Sequence, residues 1–282
     1  MIEWRSKPIT PSGSQACMRS ARTPEKSTTR SAWSRRTIES AGKNPSTSAA
    51  VSTALSPIST KGIRVKLHPW FTDAMTERRA FPPLHKDDLE ADPFAQFAAW
   101  YDLAAAEVPL AEAMTVATVD AEGAPDARLV LLKGHGPNGF RFHTNYESAK
   151  ATEIAADPRG ALILYWREHD RQVRARGAIE RLSPADSDAY FASRARESRL
   201  GAWASPQSRP LEDRADLDRR LEEARERFAD TADIPRPDHW GGFILRPRTI
   251  EFWQGQQARL HDRFLYSRAG EGEAWTIRRR AP

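Results

Sequence analysis

Cysteine is almost absent. Cys17 stands alone in 282 residues, so the chain can form neither an internal disulfide nor a cysteine metal cluster, and a reducing, cytoplasmic setting fits. No metal site is expected. No apolar run approaches the roughly 20 residues needed to cross a bilayer, so no membrane-embedded protein is expected either. Acidic residues are scarce in one region only. Residues 1–74 hold 4 Asp/Glu against 12 Lys/Arg, a net +8, which leaves 34 against 31 and a net −3 for residues 75–282. The overall charge of +5 and the pI near 9.5 therefore belong to the first quarter, and the nucleic-acid partner that such a pI suggests is not expected.

That first quarter also lacks sustained apolar periodicity and carries 22 Ser/Thr. Such a composition cannot bury enough surface to offset its ordering entropy, so residues 1–74 are expected to be disordered. Their Arg- and Ser-rich, acid-poor character resembles an organelle transit peptide. The abrupt change of composition favours a spurious extension instead, with translation starting at Met75. No compact apolar stretch follows the N-terminal charges, so no secretory signal is predicted. Residues 75–91 read as a linker or the remnant of a lid, and residues 92–282 as the folded domain.

From Asp92-Pro93, a cap and first-turn pair, Phe94, Phe97, Trp100, Tyr101 and Ala104 recur at helical spacing and predict an amphipathic helix whose aromatics are core. Residues 114–119, a turn at 120–123 and residues 128–133 predict a β-hairpin, followed by a strand over 140–144. Gly134-His-Gly-Pro-Asn-Gly139 matches G-x-G-x-x-G by letter. The dinucleotide reading fails because Pro137-Asn138-Gly139 is turn chemistry leading into a strand, not a helix. A helix over 145–156, strands over 161–166 and 172–180, a helix from Ser183-Pro184, and a charged helix over 211–229 follow. The last quarter holds strands at 242–245, 250–253, 261–266 and 275–277. About eight antiparallel strands with peripheral helices (a mainly β, α+β chain) predict one closed or nearly closed barrel.

Three places concentrate anion-binding chemistry. In Glu251–Arg263, period two puts Arg259, His261 and Arg263 on one face of an extended segment, beside Trp253; this is a cationic face for a phosphate or carboxylate, or a charged edge strand. Tyr190, Arg194 and Ser198, four apart on one predicted helix, make a phosphate clamp or a plain surface. Ser148 and Lys150 at a helix start can hold a phosphate, or can serve as a cap and a solvated lysine.

Taken together, Arg128-Leu-Val-Leu-Leu-Lys133, Tyr190-Phe-x-Ser-Arg194-x-Arg-x-Ser198-x-x-Gly-Ala-Trp203, Phe252-Trp-Gln-Gly255 with Arg259-Leu-His-Asp-Arg263, and the terminal Arg279-x-Ala-Pro282 resemble the pyridoxine/pyridoxamine 5′-phosphate oxidase family. The likeness runs in order from about Asp92 to Pro282. It implies a split β-barrel homodimer with FMN at the subunit interface. The implied reaction oxidises the 4′ carbon of pyridoxine or pyridoxamine 5′-phosphate to the aldehyde, with O2 as acceptor and H2O2 as product. Carried over by position, FMN contacts are Arg128, Leu129, Val130, Leu131, Lys133, His143, Thr144, Lys150, Gln172, Gln207, Ser208, Trp253 and Arg263. The substrate phosphate falls to Lys133, Tyr190, Arg194 and Ser198. Arg259 and His261 lie near the pyridine ring, with Arg259 in an orienting and electrostatic role and His261 as a substrate contact.

The chain departs from the family pattern at four points. Ala149 replaces a basic residue beside Lys150, His143 stands where Tyr is common, Leu110 takes the place of an acid found in some members, and the Arg-x-x-Tyr lid element is not recognisable before Asp92. Two alternatives stay open: a related flavin oxidase on a phenazine-type substrate, which would have no use for the phosphate clamp, and a non-catalytic protein that binds FMN or pyridoxal phosphate.

Overall fold

The computed structural model describes residues 81–282. The expectations for residues 1–74, and for a start at Met75, concern residues outside that range. Helix α1 (Pro93–Glu107) begins as its sequence requires: the Asp92 carboxylate accepts from the Phe94 N–H at 3.1 Å, and Pro93 occupies the first turn. Its apolar face buries Phe94, Phe97, Trp100 and Ala104, with the Phe97 ring edge-on to Phe140 at 4.9 Å. Each buried aromatic of this kind stabilises the fold by about 3–5 kcal/mol relative to alanine.

The strands are β1 (Ala113–Val119), β2 (Pro125–Leu131), β3 (Gly134–Gly136), β4 (Gly139–Asn145), β5 (Arg159–Trp166), β6 (Arg171–Arg181), β7 (Trp240–Gln254), β8 (Asp262–Ser267) and β9 (Thr276–Arg280). They form one antiparallel sheet in the order β2-β1-β5-β6-β7-β4-β3, with β8 on β7 and β9 on β8. Curled, this sheet is a half-barrel: β2 and β4 come alongside each other, but no ladder joins them among the described residues. Alternation produces the curl's lining, since Met114, Val116 and Thr118 point inward from β1 while their neighbours face out. Helices α2 (Ala149–Ala156), α3 (Pro184–Ala192), α4 (Arg196–Ala204) and α5 (Arg214–Arg227) lie between the strands. A second apolar cluster of Phe191, Leu200, Phe228, Ile234 and Trp240 ties α3 to α5 onto the start of β7.

Four expectations are corrected. The Gly134–Gly139 loop carries a short strand of its own, paired Gly134 to Arg141 and Gly136 to Gly139; the hairpin is present and no helix opens there. The predicted strands at 242–245 and 250–253 are one strand, β7, which pairs with β4 through Trp240–Leu245 and with β8 through Thr249–Gln254. The single helix carrying Tyr190, Arg194 and Ser198 is broken into α3 and α4, with Arg194 between them. The extended stripe at 259–263 does not form. Gln257–Arg259 is a one-turn 3-10 segment with Ala258 and Arg259 at φ 52° and 61°, and the strand begins only at Asp262.

Residues 81–92 run back over the C-terminal strands. The Asp262 carboxylate accepts from the Leu84 N–H at 2.9 Å, Arg279 donates to the Leu84 carbonyl at 2.6 Å, and the Tyr266 hydroxyl donates to the Glu90 carbonyl at 2.7 Å.

Candidate active site

A cavity of about 750 Å³ opens between β2, β4, the start of α2, the α3–α4 junction and the 205–208 loop. Into it the fold brings Arg128, Leu129, Val130, Leu131, Lys133, His143, Thr144, Lys150, Tyr190, Arg194, Ser198, Gln207 and Ser208 from the sequence reading. Although the helix is broken, Tyr190 from α3, Arg194 from the 193–195 connection and Ser198 from α4 all line one cavity.

One group of side chains gathers around His143. Its ring stacks on Tyr190 at 3.9 Å and lies nearly parallel to Trp240 at 5.4 Å, while the Arg194 guanidinium sits 4.6 Å over the Trp240 ring. Both His143 nitrogens and Arg194 Nη1 are buried and lack a hydrogen-bond partner. Burial, followed by the charges of Arg194, Arg141 and Lys133, pushes His143 down to about 4, so the imidazole is neutral near pH 7. Burial likewise lowers Arg194 and raises the Tyr190 phenol. A neutral ring beside a desolvated guanidinium leaves Arg194 and Lys133 as the cations available to an anion here.

A second group lies around Lys150, whose side chain is 6% exposed and whose ammonium donates to Thr144 Oγ1 and Ser148 Oγ, each at 3.3 Å. Burial lowers its pKa, with Arg128 adding to the effect. Arg128 Nη2 donates to Glu153 at 2.8 Å and to Asp126 at 2.5 Å. Gln207 Oε1 accepts from the Thr144 hydroxyl at 2.8 Å and from the Asn145 N–H at 3.1 Å, which pins the 205–208 loop to β4. Leu129 and Leu131 present an exposed apolar edge along β2.

The remaining predicted residues form a separate group. Gln172 pairs in register with Trp253, Trp253 pairs with Arg263, and the Trp253 ring lies 4.6 Å from His261. His261 Nδ1 accepts from the Gln256 N–H at 3.1 Å, leaving Nε2 as the proton-bearing nitrogen of a neutral ring. Arg263 donates to the buried Glu251 carboxylate at 3.0 and 3.1 Å, and Arg174 and Arg280 reach the same carboxylate at 3.2 and 3.4 Å. Arg259 stands exposed on its turn. None of Gln172, Trp253, Arg259, His261 and Arg263 lines the cavity of its own chain.

Sequence reasoning missed Trp240, Asp126 and Glu153. Trp240 opens the strand two residues earlier than the Gly242 start read from the sequence, and an aromatic just before Gly241-Gly242 was the available signal. Asp126 sits two residues before Arg128, on the same face of β2 by strand period.

The family model described as "Pyridoxamine 5′-phosphate oxidase" matches residues 102–228, and "Pyridoxine 5′-phosphate oxidase C-terminal dimerisation region" matches 240–282. The chain is 48% identical over 200 residues to a pyridoxine/pyridoxamine 5′-phosphate oxidase of Salinibacter ruber, covering 71% of this chain and 93% of that one. It is 53% identical over 196 residues to the protein of the same name from Ralstonia pickettii, covering 69% and 91%. Among solved structures, PhzG from Burkholderia lata 383, bound to tetrahydrophenazine-1-carboxylic acid, superposes with a TM-score of 0.66 at 28% identity over 72% of this chain and all of that one. A pyridoxamine 5′-phosphate oxidase-related, FMN-binding protein from Nostoc punctiforme shares the fold, with a TM-score of 0.55 at 20% identity over 68% and 98%. Fold and relatives together define an oxidoreductase of half-barrel architecture. The chain belongs to the pyridoxine/pyridoxamine 5′-phosphate oxidase family.

Proposed function

We propose that the protein is an FMN-dependent oxidase that converts pyridoxine or pyridoxamine 5′-phosphate to pyridoxal 5′-phosphate with O2, acting as a homodimer. The observation that carries this reading is Arg194: a buried guanidinium N–H with no partner, beside Tyr190, Ser198 and Lys133 on one cavity wall. An unsatisfied buried donor costs about 1–3 kcal/mol, and a phosphate oxygen removes that cost with a charge-assisted bond.

The donor set also fits FMN. Lys150, Arg128, Thr144, Gln207 and Ser208 are the polar groups that would hold it, and Leu129–Leu131 offer an apolar edge to a flat ring. When bound, FMN would supply the two-electron acceptor for oxidation of the substrate's 4′ carbon, with O2 as the final acceptor and H2O2 as its product. The protein's part is to grip and align. Lys133, Tyr190, Arg194 and Ser198 hold the ester, and a neutral His143 keeps the Tyr190 ring in place by stacking. Gln172, Trp253, Arg259, His261 and Arg263 reach the cavity of a second copy in this reading, which the match to a dimerisation region supports. There Arg259 orients the pyridine ring and stabilises charge, and His261 contacts the substrate near the reacting carbon. The lone cysteine and the net −3 over residues 75–282 favour a cytoplasmic enzyme without nucleic-acid or membrane partners.

Purified protein is expected to be yellow and, given pyridoxine 5′-phosphate in air, to release aldehyde and peroxide in equal amounts. Colour without product would favour a carrier, and colourless protein would remove the flavin. Likeness to PhzG keeps a phenazine-type substrate as the second reading, which predicts turnover of a phosphate-free tricyclic compound in the same assay.

A further inference from the structure

Arg128 meets the cavity already engaged. Its Nη2 donates to Asp126 at 2.5 Å and Glu153 at 2.8 Å, and its Nη1 donates to the Thr118 hydroxyl, which itself donates to Glu153. The two acids are not equivalent. Glu153 is buried on α2 and tied to Thr118, so it belongs to the frame that holds Arg128 in place. Asp126 is exposed on the edge strand β2, where its carboxylate accepts from its neighbour's backbone, the Ala127 N–H, at 2.7 Å. That bond first, and Arg128 second, hold the Asp126 carboxyl below its usual range, so it is ionised at any working pH.

Asp126, Arg128, Ala149 and Lys150 all line the same part of the cavity. Arg128 and Lys150 bring two positive charges, Asp126 and Glu153 bring two negative, and Ala149 adds none. A phosphate dianion entering there meets a cluster of net charge zero. It must either take Arg128 from Asp126 or lie beside an uncompensated carboxylate.

We propose that Asp126 competes with the cofactor's phosphate for Arg128, so that this chain distinguishes FMN from its dephosphorylated form, riboflavin, less sharply than its two cations would otherwise allow. The inference rests on the reading that this cavity holds FMN. Asp126 is thus a specificity-determining residue that acts through a neighbouring guanidinium and leaves the flavin ring untouched.

The test is equilibrium binding of FMN and of riboflavin to flavin-stripped full-length protein, read by quenching of flavin fluorescence. Asp126→Asn, Asp126→Ser and wild type are compared, with Glu122→Gln as a control that removes the same charge from the exposed β1–β2 turn. Both Asp126 variants are expected to lower the Kd for FMN about tenfold while leaving riboflavin within about twofold, because only FMN carries the group that Arg128 would gain. Glu122→Gln is expected to leave the FMN-to-riboflavin ratio unchanged. An unchanged or weakened FMN affinity in both Asp126 variants, equal tightening of riboflavin, or the same effect from Glu122→Gln would overturn the competition while FMN binding itself stands. A wild-type protein that takes up neither flavin would overturn the cofactor reading, and this inference with it.

Discussion

At the scale of single residues, the cavity is marked by polar groups buried without partners. Arg194→Ala removes the guanidinium whose buried Nη1 awaits an acceptor, and the KM for a phosphorylated substrate is expected to rise about tenfold or more, consistent with losing about 1.5–3 kcal/mol of charged hydrogen bonding. Steady-state kinetics with pyridoxine 5′-phosphate checks this, and an unchanged KM would take Arg194 out of the clamp. His143 gives a second expectation. Its pKa falls from 6.5 unfolded to about 4 folded, so between those values the unfolded chain binds more protons, and stability declines as pH falls from about 6.5 through about 4. The loss attributable to this ring is at most about 3.5 kcal/mol. His143→Phe keeps the stack and should flatten the dependence of Tm on pH over that window, with the smaller slope from buried His135 remaining. A variant whose Tm falls with pH as steeply as wild type would assign the slope elsewhere. Part of the cavity lining was legible from the residues, since Tyr190, Arg194 and Ser198 recur four apart and Lys150 stands at a helix start, whereas most of the rest was named only through the family resemblance. Trp240 was overlooked, because its one signal, an aromatic just before Gly241-Gly242, does not by itself separate a cavity wall from a core position.

Among elements, β7 decides how the site is divided. One 15-residue strand serves β4 at its start and β8 at its end, and it accommodates the change by a register shift opposite Arg176 and Gly177. Gly177 allows it: a Cβ there would lie 1.8 Å from the Arg246 carbonyl oxygen, an atom of the backbone that has no room to give. Gly177→Ala is expected to cost about 1–3 kcal/mol or more, a Tm fall of roughly 3–10 °C in a thermal melt; a Tm within about 1 °C of wild type would show that the bulge relaxes freely. The sequence reading divided this strand into 242–245 and 250–253; between them Pro247 falls at the irregularity opposite Gly177, where its missing N–H is tolerated. The Arg259 stripe failed for a local reason. Ala258 and Arg259 hold left-handed backbone with no glycine to announce it. The hairpin at Gly134–Gly139 was legible because Pro-Asn-Gly has turn chemistry of its own.

At the scale of the whole molecule, chemistry is split over two surfaces. The cavity between β2, β4 and α2–α4 carries the groups proposed to grip phosphate, while Gln172, Trp253 and Arg263 sit on β6–β8 of the same chain, with His261 just before β8, all outside it. Large apolar side chains stand exposed beside both, Leu129 at 73% and Leu260 at 68%, as expected of surfaces that a second copy covers. A half-barrel could be anticipated from strand alternation, but one chain's pattern does not say which of its residues serve a neighbour. Subunit complementation measures that directly. Arg194→Ala damages the cavity wall and Arg263→Ala the opposite group, and each variant alone, assayed at substrate well below KM, is expected to keep no more than about a tenth of wild-type activity. If sites are built from two chains, an equal, co-refolded mixture yields half heterodimers, each with one intact site, and recovers about a quarter of wild-type oxidase activity. A mixture no more active than its separate components would contradict the account.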